Sequence, residues 1–325
     1  RNADLGAMIS SGLPSPFMAT FASALLSSYP SSAFQNPAGL VSASDLAARL
    51  RSGDPSLVVI EVSSPAEIRA NSASIPGSRR VWRPEYQSPI TRTQPLDGIV
   101  PSRDDFESFA RNLGVNDDSE VVVLDRKYDA ARLWWLFVLF GHKSVSLLDG
   151  GYGAAEAEGM LLPEGGGRLQ EDDHELTLGT WTAHPPDMHL LATMADVRNL
   201  EQEQEPRLWD VRSEGENSGR LTLPGAARPG RIPWTSARLD WSMFCDLNEG
   251  RKWMSPDSIR EVAKEAMGTT PEDGFAHTFY CQSGVRTTNL IFGMCRAGWP
   301  MELLRNYDGS WVEWSNDPHG KVEVD

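Results

Sequence analysis

The sequence predicts a parallel α/β fold built twice from one unit, and three observations predict it. Short runs rich in β-branched and apolar residues alternate with helix signals, the pattern of a sheet covered by helices on both faces. A weak internal repeat runs along the chain. With 325 residues the chain also exceeds a comfortable single core, so two domains of ordinary size are expected.

The first copy runs from the strand-like Leu57-Val58-Val59-Ile60-Glu61-Val62 through Ile75-Pro76-Gly77 and Val121-Val122-Val123-Leu124 to Leu147-Leu148-Asp149-Gly150-Gly151. The second answers with Leu208-Trp209-Asp210-Val211, Ile232-Pro233, Thr278-Phe279-Tyr280 and Leu303-Leu304-Arg305. Between the strands lie helix starts. Ser44-Asp45 is read as capping Leu46 to Leu50, Ser102 precedes Phe106-Phe109-Leu113-Gly114, and Ser255-Pro256 opens a helix through Ile259, Val262, Ala263 and Met267.

These signals divide the chain into residues 37–162, a first copy, and 191–325, a second, joined by a linker at 163–190. The linker, from Pro163-Glu164-Gly165-Gly166-Gly167 to His184-Pro185-Pro186, is rich in Gly, Pro and acidic residues, with enough extended character to pack on a surface. Residues 1–36, heavy in Ser, Ala and Pro, match nothing in the repeat and read as an N-terminal arm or extension.

A net charge of −15 argues against a nucleic-acid binder and requires that any anionic substrate be held by locally placed Arg or Lys. No stretch approaches the ~20 apolar residues of a membrane span, so no membrane partner is expected and the chain reads as soluble, cytoplasmic or periplasmic. The first residue is Arg1 rather than Met, which reads as a processed or trimmed N-terminus. The three cysteines, Cys245, Cys281 and Cys295, lack a CxxC pair. Neither a zinc site nor a disulfide framework is therefore indicated, and no cofactor is expected. Cys295, at helical spacing with Ile291 and Phe292, and Cys245, after Met243-Phe244, read as packing residues.

Cys281 is different. It opens Cys281-Gln282-Ser283-Gly284-Val285-Arg286, directly after a strand-like run and before the helix-like Thr287-Asn289-Leu290-Ile291-Phe292. A thiolate at such a turn faces unpaired backbone N–H groups and the positive end of the helix dipole, and Arg286 adds a positive charge nearby. Together with Trp209-Asp210-Val211-Arg212 upstream and Leu304-Arg305-Asn306-Tyr307-Asp308-Gly309-Ser310-Trp311 downstream, this loop resembles that of the rhodanese-type sulfurtransferases, the tandem-domain thiosulfate and 3-mercaptopyruvate sulfurtransferases. The resemblance covers nearly residues 40–325.

It implies two rhodanese-like domains, each a mostly parallel sheet flanked by helices, with the active site in the crevice between them. It also implies that Cys281 attacks the outer sulfur of a small anionic donor such as thiosulfate, that sulfite leaves, and that the resulting persulfide passes its sulfur to cyanide, a small thiol or a protein acceptor. The position matching Cys281 in the first copy is Asp125, which cannot carry a transferable sulfur, so that copy is read as catalytically silent. Arg286 comes five residues after Cys281, whereas phosphatase loops related in fold carry Arg six after theirs. The shorter ring suits a sulfur atom better than a tetrahedral phosphate.

The substrate-binding set read from the loop is Gln282, Ser283, Gly284, Val285 and Arg286. Arg220 joins them, falling near where tandem family members place a substrate-binding Arg. Arg228 and Arg231 are weaker candidates, and Arg231 stands where the family normally has the His of Gly-His-Ile-Pro. Members acting on 3-mercaptopyruvate pair a loop Ser with His and Asp from the first domain. Here Ser283 fits, but Ser63 and Ser74 occupy the matching places, which tilts the expected donor toward thiosulfate. Trp134, Trp135, Trp311 and Trp314 are read as core, and Trp82 as a candidate for the cleft wall. The rival from another class is a noncatalytic sulfur-carrier or protein-binding module.

Overall fold

The computed structural model describes residues 38–69, 73–91, 96, 98–162 and 177–325. The expected N-terminal arm and the first part of the expected linker lie outside the described residues. In the first half the elements are β1 (Gly39–Val41), α1 (Ala43–Ser52), β2 (Leu57–Val62), α2 (Pro65–Arg69), β3 (Arg79–Val81), α3 (Arg103–Asn112), β4 (Glu120–Asp125), α4 (Ala130–Leu139), β5 (Val145–Leu148) and α5 (Gly151–Ala157). The second half carries β6 (Leu191–Ala192), α6 (Met194–Asn199), β7 (Leu208–Asp210), α7 (Glu214–Asn217), β8 (Ala237–Arg238), β9 (Cys245–Asp246), β10 (Lys252–Trp253), α8 (Pro256–Met267), β11 (His277–Tyr280), α9 (Thr287–Arg296), β12 (Leu304–Tyr307) and α10 (Ser310–Asn316).

Two five-stranded parallel sheets result, in the orders β1-β5-β4-β2-β3 and β6-β12-β11-β7-β8. Matching the first strand of one to the first of the other makes the two orders identical, so the repeat read in the sequence is a repeat of topology. In both sheets the central strand, β4 or β11, runs directly into the turn that carries Asp125 or Cys281.

Local chemistry places the helix starts. Ser102 Oγ accepts the Asp105 N–H at the head of α3, and Ser255 Oγ accepts the Ser258 N–H at the head of α8 with Pro256 in the first turn. The cap of α1 lies earlier than Ser44-Asp45. Ser42 is the N-cap, because its Oγ is the one that reaches the Asp45 N–H at 3.1 Å.

Every residue of α4 is buried, as are nine of the ten in α9, from Thr287 to Cys295. A helix buried on all sides needs cover on all sides. Each of these two lies on its own sheet and against the other, with Trp134 edge-on to Phe292 at 4.9 Å. Trp134, Trp135, Trp311 and Trp314 are core residues, as expected, while Trp82 is exposed. The described part of the linker packs on the first half. Gly179, Trp181 and His184 donate their N–H groups to Arg111, Val115 and Phe140, and the Trp181 ring sits against Phe106 and Phe137. Among the described residues no helix is long and apolar enough to cross a membrane.

Candidate active site

Cys281 follows β11 directly and is 1 % exposed. Its turn is held from below by Ser310, whose Oγ accepts the N–H groups of Cys281 (3.1 Å) and Gly284 (3.0 Å) and donates to the Tyr307 carbonyl (2.7 Å). To do this Ser310 adopts φ +49°, a left-handed conformation that disfavours a residue bearing Cβ. The first N–H groups of α10 complete the clamp, with Trp311 donating to the Cys281 carbonyl and Val312 to that of Gln282. Gly284 has φ +66°, and a Cβ there would come within 2.8 Å of the Asp308 carbonyl oxygen. Among the described residues, the N–H groups of Gln282, Ser283, Val285 and Arg286 find no acceptor.

The first half forms part of the same site. Buried Arg132, on α4, donates to the Gly284 carbonyl at 3.2 Å and to the Gly98 carbonyl at 2.7 Å, and pairs with Asp308 at 2.7 Å. Asp308 also accepts the Val100 N–H at 2.6 Å, and Asn306 Nδ2 reaches the Gly284 carbonyl at 2.9 Å. Gly98 lies so close to the loop that a Cβ there would meet the Ser283 oxygen at 2.8 Å. From α9, Asn289 donates to the Tyr128 carbonyl at 3.1 Å. The Tyr128 hydroxyl is pushed upward, first by burial and then by Asp129, and it lies within electrostatic reach of Arg286 and Cys281.

Arg286 is not an unopposed charge, as its sequence position suggested. Its two terminal nitrogens fork onto the Glu216 carboxylate at 2.9 and 2.7 Å, with the side chains 14 % and 4 % exposed. The same carboxylate closes a capping box with the Ser213 N–H and hydroxyl. Burial would raise the Glu216 carboxyl, but the bonds from Arg286 and Ser213 outweigh it and hold the group below its ordinary range. Burial likewise opposes the charge on Arg286, and Glu216 more than restores it.

The other expected site residues divide cleanly. Gln282 anchors the loop by donating to the Pro224 carbonyl at 3.1 Å. Ser283 and Gly284 sit against the first half, and Val285 is buried, its carbonyl accepting the Thr288 hydroxyl. Arg220 is not brought into this network, since its side chain is 65 % exposed and paired with Glu214 at 3.1 Å. Arg228 instead stitches the C-terminal segment, donating to the carbonyls of Trp314, Ser315, Asp317 and Gly320, and Arg231 pairs with Glu323 and Asp325. Nothing in the sequence singles out Arg132, and Ser310 and Asp308 stand out there only as part of the downstream block from Leu304 to Trp311. For Glu216 the signal was present in Ser213-Glu214-Gly215-Glu216, whose spacing is that of a capping box.

The matching turn in the first half is filled by its own first residue. Asp125 is 8 % exposed, accepts the Ala130 N–H at 2.6 Å at the head of α4, and faces Arg251 at 3.4 Å. Burial pushes its carboxyl up to about 6 against the opposing pull of Arg251. A small cavity of about 40 Å³ lies beside it, lined among others by Lys127, Trp241, Cys245, Arg251 and Trp253. Burial pushes the thiols of Cys245 and Cys295 up to about 12, so both stay protonated at neutral pH, and none of the three cysteines is in a disulfide. Among the described residues no group of three or more His, Cys, Asp or Glu side chains converges as metal ligands would.

Known proteins resemble this chain in sequence and in fold. The family model for the rhodanese-like domain matches residues 42–158, the half that carries Asp125. A 3-mercaptopyruvate sulfurtransferase of Mus musculus is 31 % identical over 227 residues, spanning 68 % of this chain and 71 % of the relative. The chain belongs to the rhodanese-type sulfurtransferase family. A thiosulfate sulfurtransferase of Rattus norvegicus, another relative, is 29 % identical over 289 residues, 85 % of this chain and 91 % of its own. The crystal structure of the Tum1 protein from Saccharomyces cerevisiae superposes with a TM-score of 0.72 at 20 % identity, covering 88 % of this chain and 98 % of that one. The fold and the sulfurtransferase class follow from these likenesses. Relatives named for either donor resemble the chain about equally.

Proposed function

We propose that the chain moves a sulfane sulfur from thiosulfate through a persulfide on Cys281 to cyanide or a thiol acceptor. The Cys281 thiolate attacks the outer sulfur of thiosulfate, a sulfur–sulfur bond forms, and the bond to the sulfonate sulfur breaks, its electron pair leaving with sulfite. The acceptor then takes the outer sulfur, and the thiolate returns.

The observation that carries this reading is the turn itself. Four N–H groups of the Cys281 loop have no acceptor among the described residues, and together with the head of α9 they offer an anion the donors it needs. In favour of thiosulfate over 3-mercaptopyruvate, the Ser283 hydroxyl makes no hydrogen bond with another described residue, so no described base polarises it. Ser63 and Ser74, which stand where Asp and His would be expected, supply none.

Steady-state release of sulfite and thiocyanate from thiosulfate and cyanide, run beside pyruvate release from 3-mercaptopyruvate, tests the proposal. A higher kcat/KM for thiosulfate is expected. A preference for 3-mercaptopyruvate would overturn the donor assignment, and turnover of neither would favour a carrier role.

A further inference from the structure

Helix α7 carries two carboxylates, and both are paired with arginines. Glu214 takes Arg220 at 3.1 Å and Arg238 at 3.3 Å at the surface. Glu216 takes Arg286, the last residue of the Cys281 loop, through a two-point fork that is almost wholly buried. A fork of this kind fixes the plane of the guanidinium as well as opposing its charge. Near the surface such charges would be screened, but a buried pair is screened far less, so the cancellation reaches the sulfur position.

We propose that Glu216 is the positioning residue that sets the charge of the donor this loop accepts. It holds Arg286 in place and cancels its charge, so a dianion such as thiosulfate gains less over a monoanionic sulfane donor than it would from an unopposed Arg286. The proposal rests on Cys281 being the sulfur-accepting group. It adds to thiosulfate a chemical class of accepted donor, the monoanionic sulfane compounds: thiosulfonates, and the persulfides of small thiols. With a thiosulfonate the step balances as it does with thiosulfate. The thiolate bonds to the outer sulfur, the bond to the sulfonyl sulfur breaks, and a sulfinate leaves with the electron pair.

Thiosulfate and methanethiosulfonate differ by one charge and little in shape around the transferred sulfur, which makes them a matched pair of probes. Glu216→Gln keeps an oxygen for the Ser213 cap while removing the charge. It is expected to lower KM for thiosulfate about threefold or more with kcat little changed, and to move KM for methanethiosulfonate less. Glu216→Asp, which keeps the charge, should retain the wild-type ratio of the two donors. If Glu216 is merely structural, Glu216→Gln worsens both donors alike and the ratio stays put, which overturns the proposal.

A second readout is independent of turnover. The rate of Cys281 alkylation by iodoacetate, divided by that by iodoacetamide, should rise about threefold or more in Glu216→Gln. An unchanged ratio contradicts the assignment even in a protein that turns over neither donor. Absence of any sulfur on Cys281 in the wild type counts instead against the reading of the function.

Discussion

The turn at Asp125 and the turn at Cys281 occupy the same place in two sheets of the same strand order, and they differ in what fills them. In the first, the leading side chain is an anion that accepts the Ala130 N–H at the head of its own helix. In the second, the leading side chain is a thiol and the loop N–H groups stay without acceptors among the described residues. A cradle for an anion can thus be kept open for chemistry or closed by one carboxylate. The two halves also share one contact network, because Arg132 at the head of the helix after the closed turn reaches across to the loop of the other.

That contact is the largest effect to test. Arg132→Met leaves the Asp308 carboxylate buried without its partner, and removal of one member of a buried pair costs about 3–5 kcal/mol. Urea unfolding should show this as a lower midpoint, and loss of the Gly284 contact should lower kcat/KM as well. An unchanged midpoint would mean that the halves hold together without the pair.

The Asp125 turn carries a pH signature of its own. A folded-state carboxyl raised to about 6 from 3.8 holds its proton more tightly than in the unfolded chain. The stability it contributes is therefore fully present below the unfolded value and is lost as pH rises from about 4 to 6, by up to about 3 kcal/mol. Asp125→Asn should abolish this decline without affecting sulfur transfer. Unfolding curves at pH 4, 5, 6 and 7 for both proteins check it, and parallel curves would contradict it.

The Ser310 clamp comes next. Ser310→Ala leaves the N–H groups of Cys281 and Gly284 without their acceptor, at a cost of about 1–3 kcal/mol, and should lower kcat more than it alters stability. Thermal melting read beside kcat separates the two. The smallest effect belongs to Arg220, since exposed ion pairs contribute about 0–1 kcal/mol. Arg220→Ala should leave thiosulfate KM within about twofold, and a larger rise would restore Arg220 to the binding set.

Much of this was legible in the sequence, and what was not has physical reasons. Leu57–Val62, the Ser102 and Ser255-Pro256 helix starts and the repeat were visible because each is written in adjacent residues. The edge strands β1 and β6 escaped notice because they are only three and two residues long. The cap of α1 was misplaced between two serines two residues apart, a choice that side-chain reach decides. At the candidate site, the turn from Cys281 to Arg286 is likewise written in adjacent residues. The Arg286–Glu216 pair was invisible because 70 residues separate its members. Arg220 falls near the family's binding position along the chain, but it pairs with Glu214, six residues away.

The central claim is that one turn of the two carries the chemistry, on one of three cysteines. Peptide mass mapping after incubation with thiosulfate tests it most directly. The account predicts one added sulfur on the peptide containing Cys281, none on those with Cys245 or Cys295, and none anywhere in Cys281→Ser. Sulfur on Cys245 beside the Asp125 turn, or an adduct that survives Cys281→Ser, would contradict it.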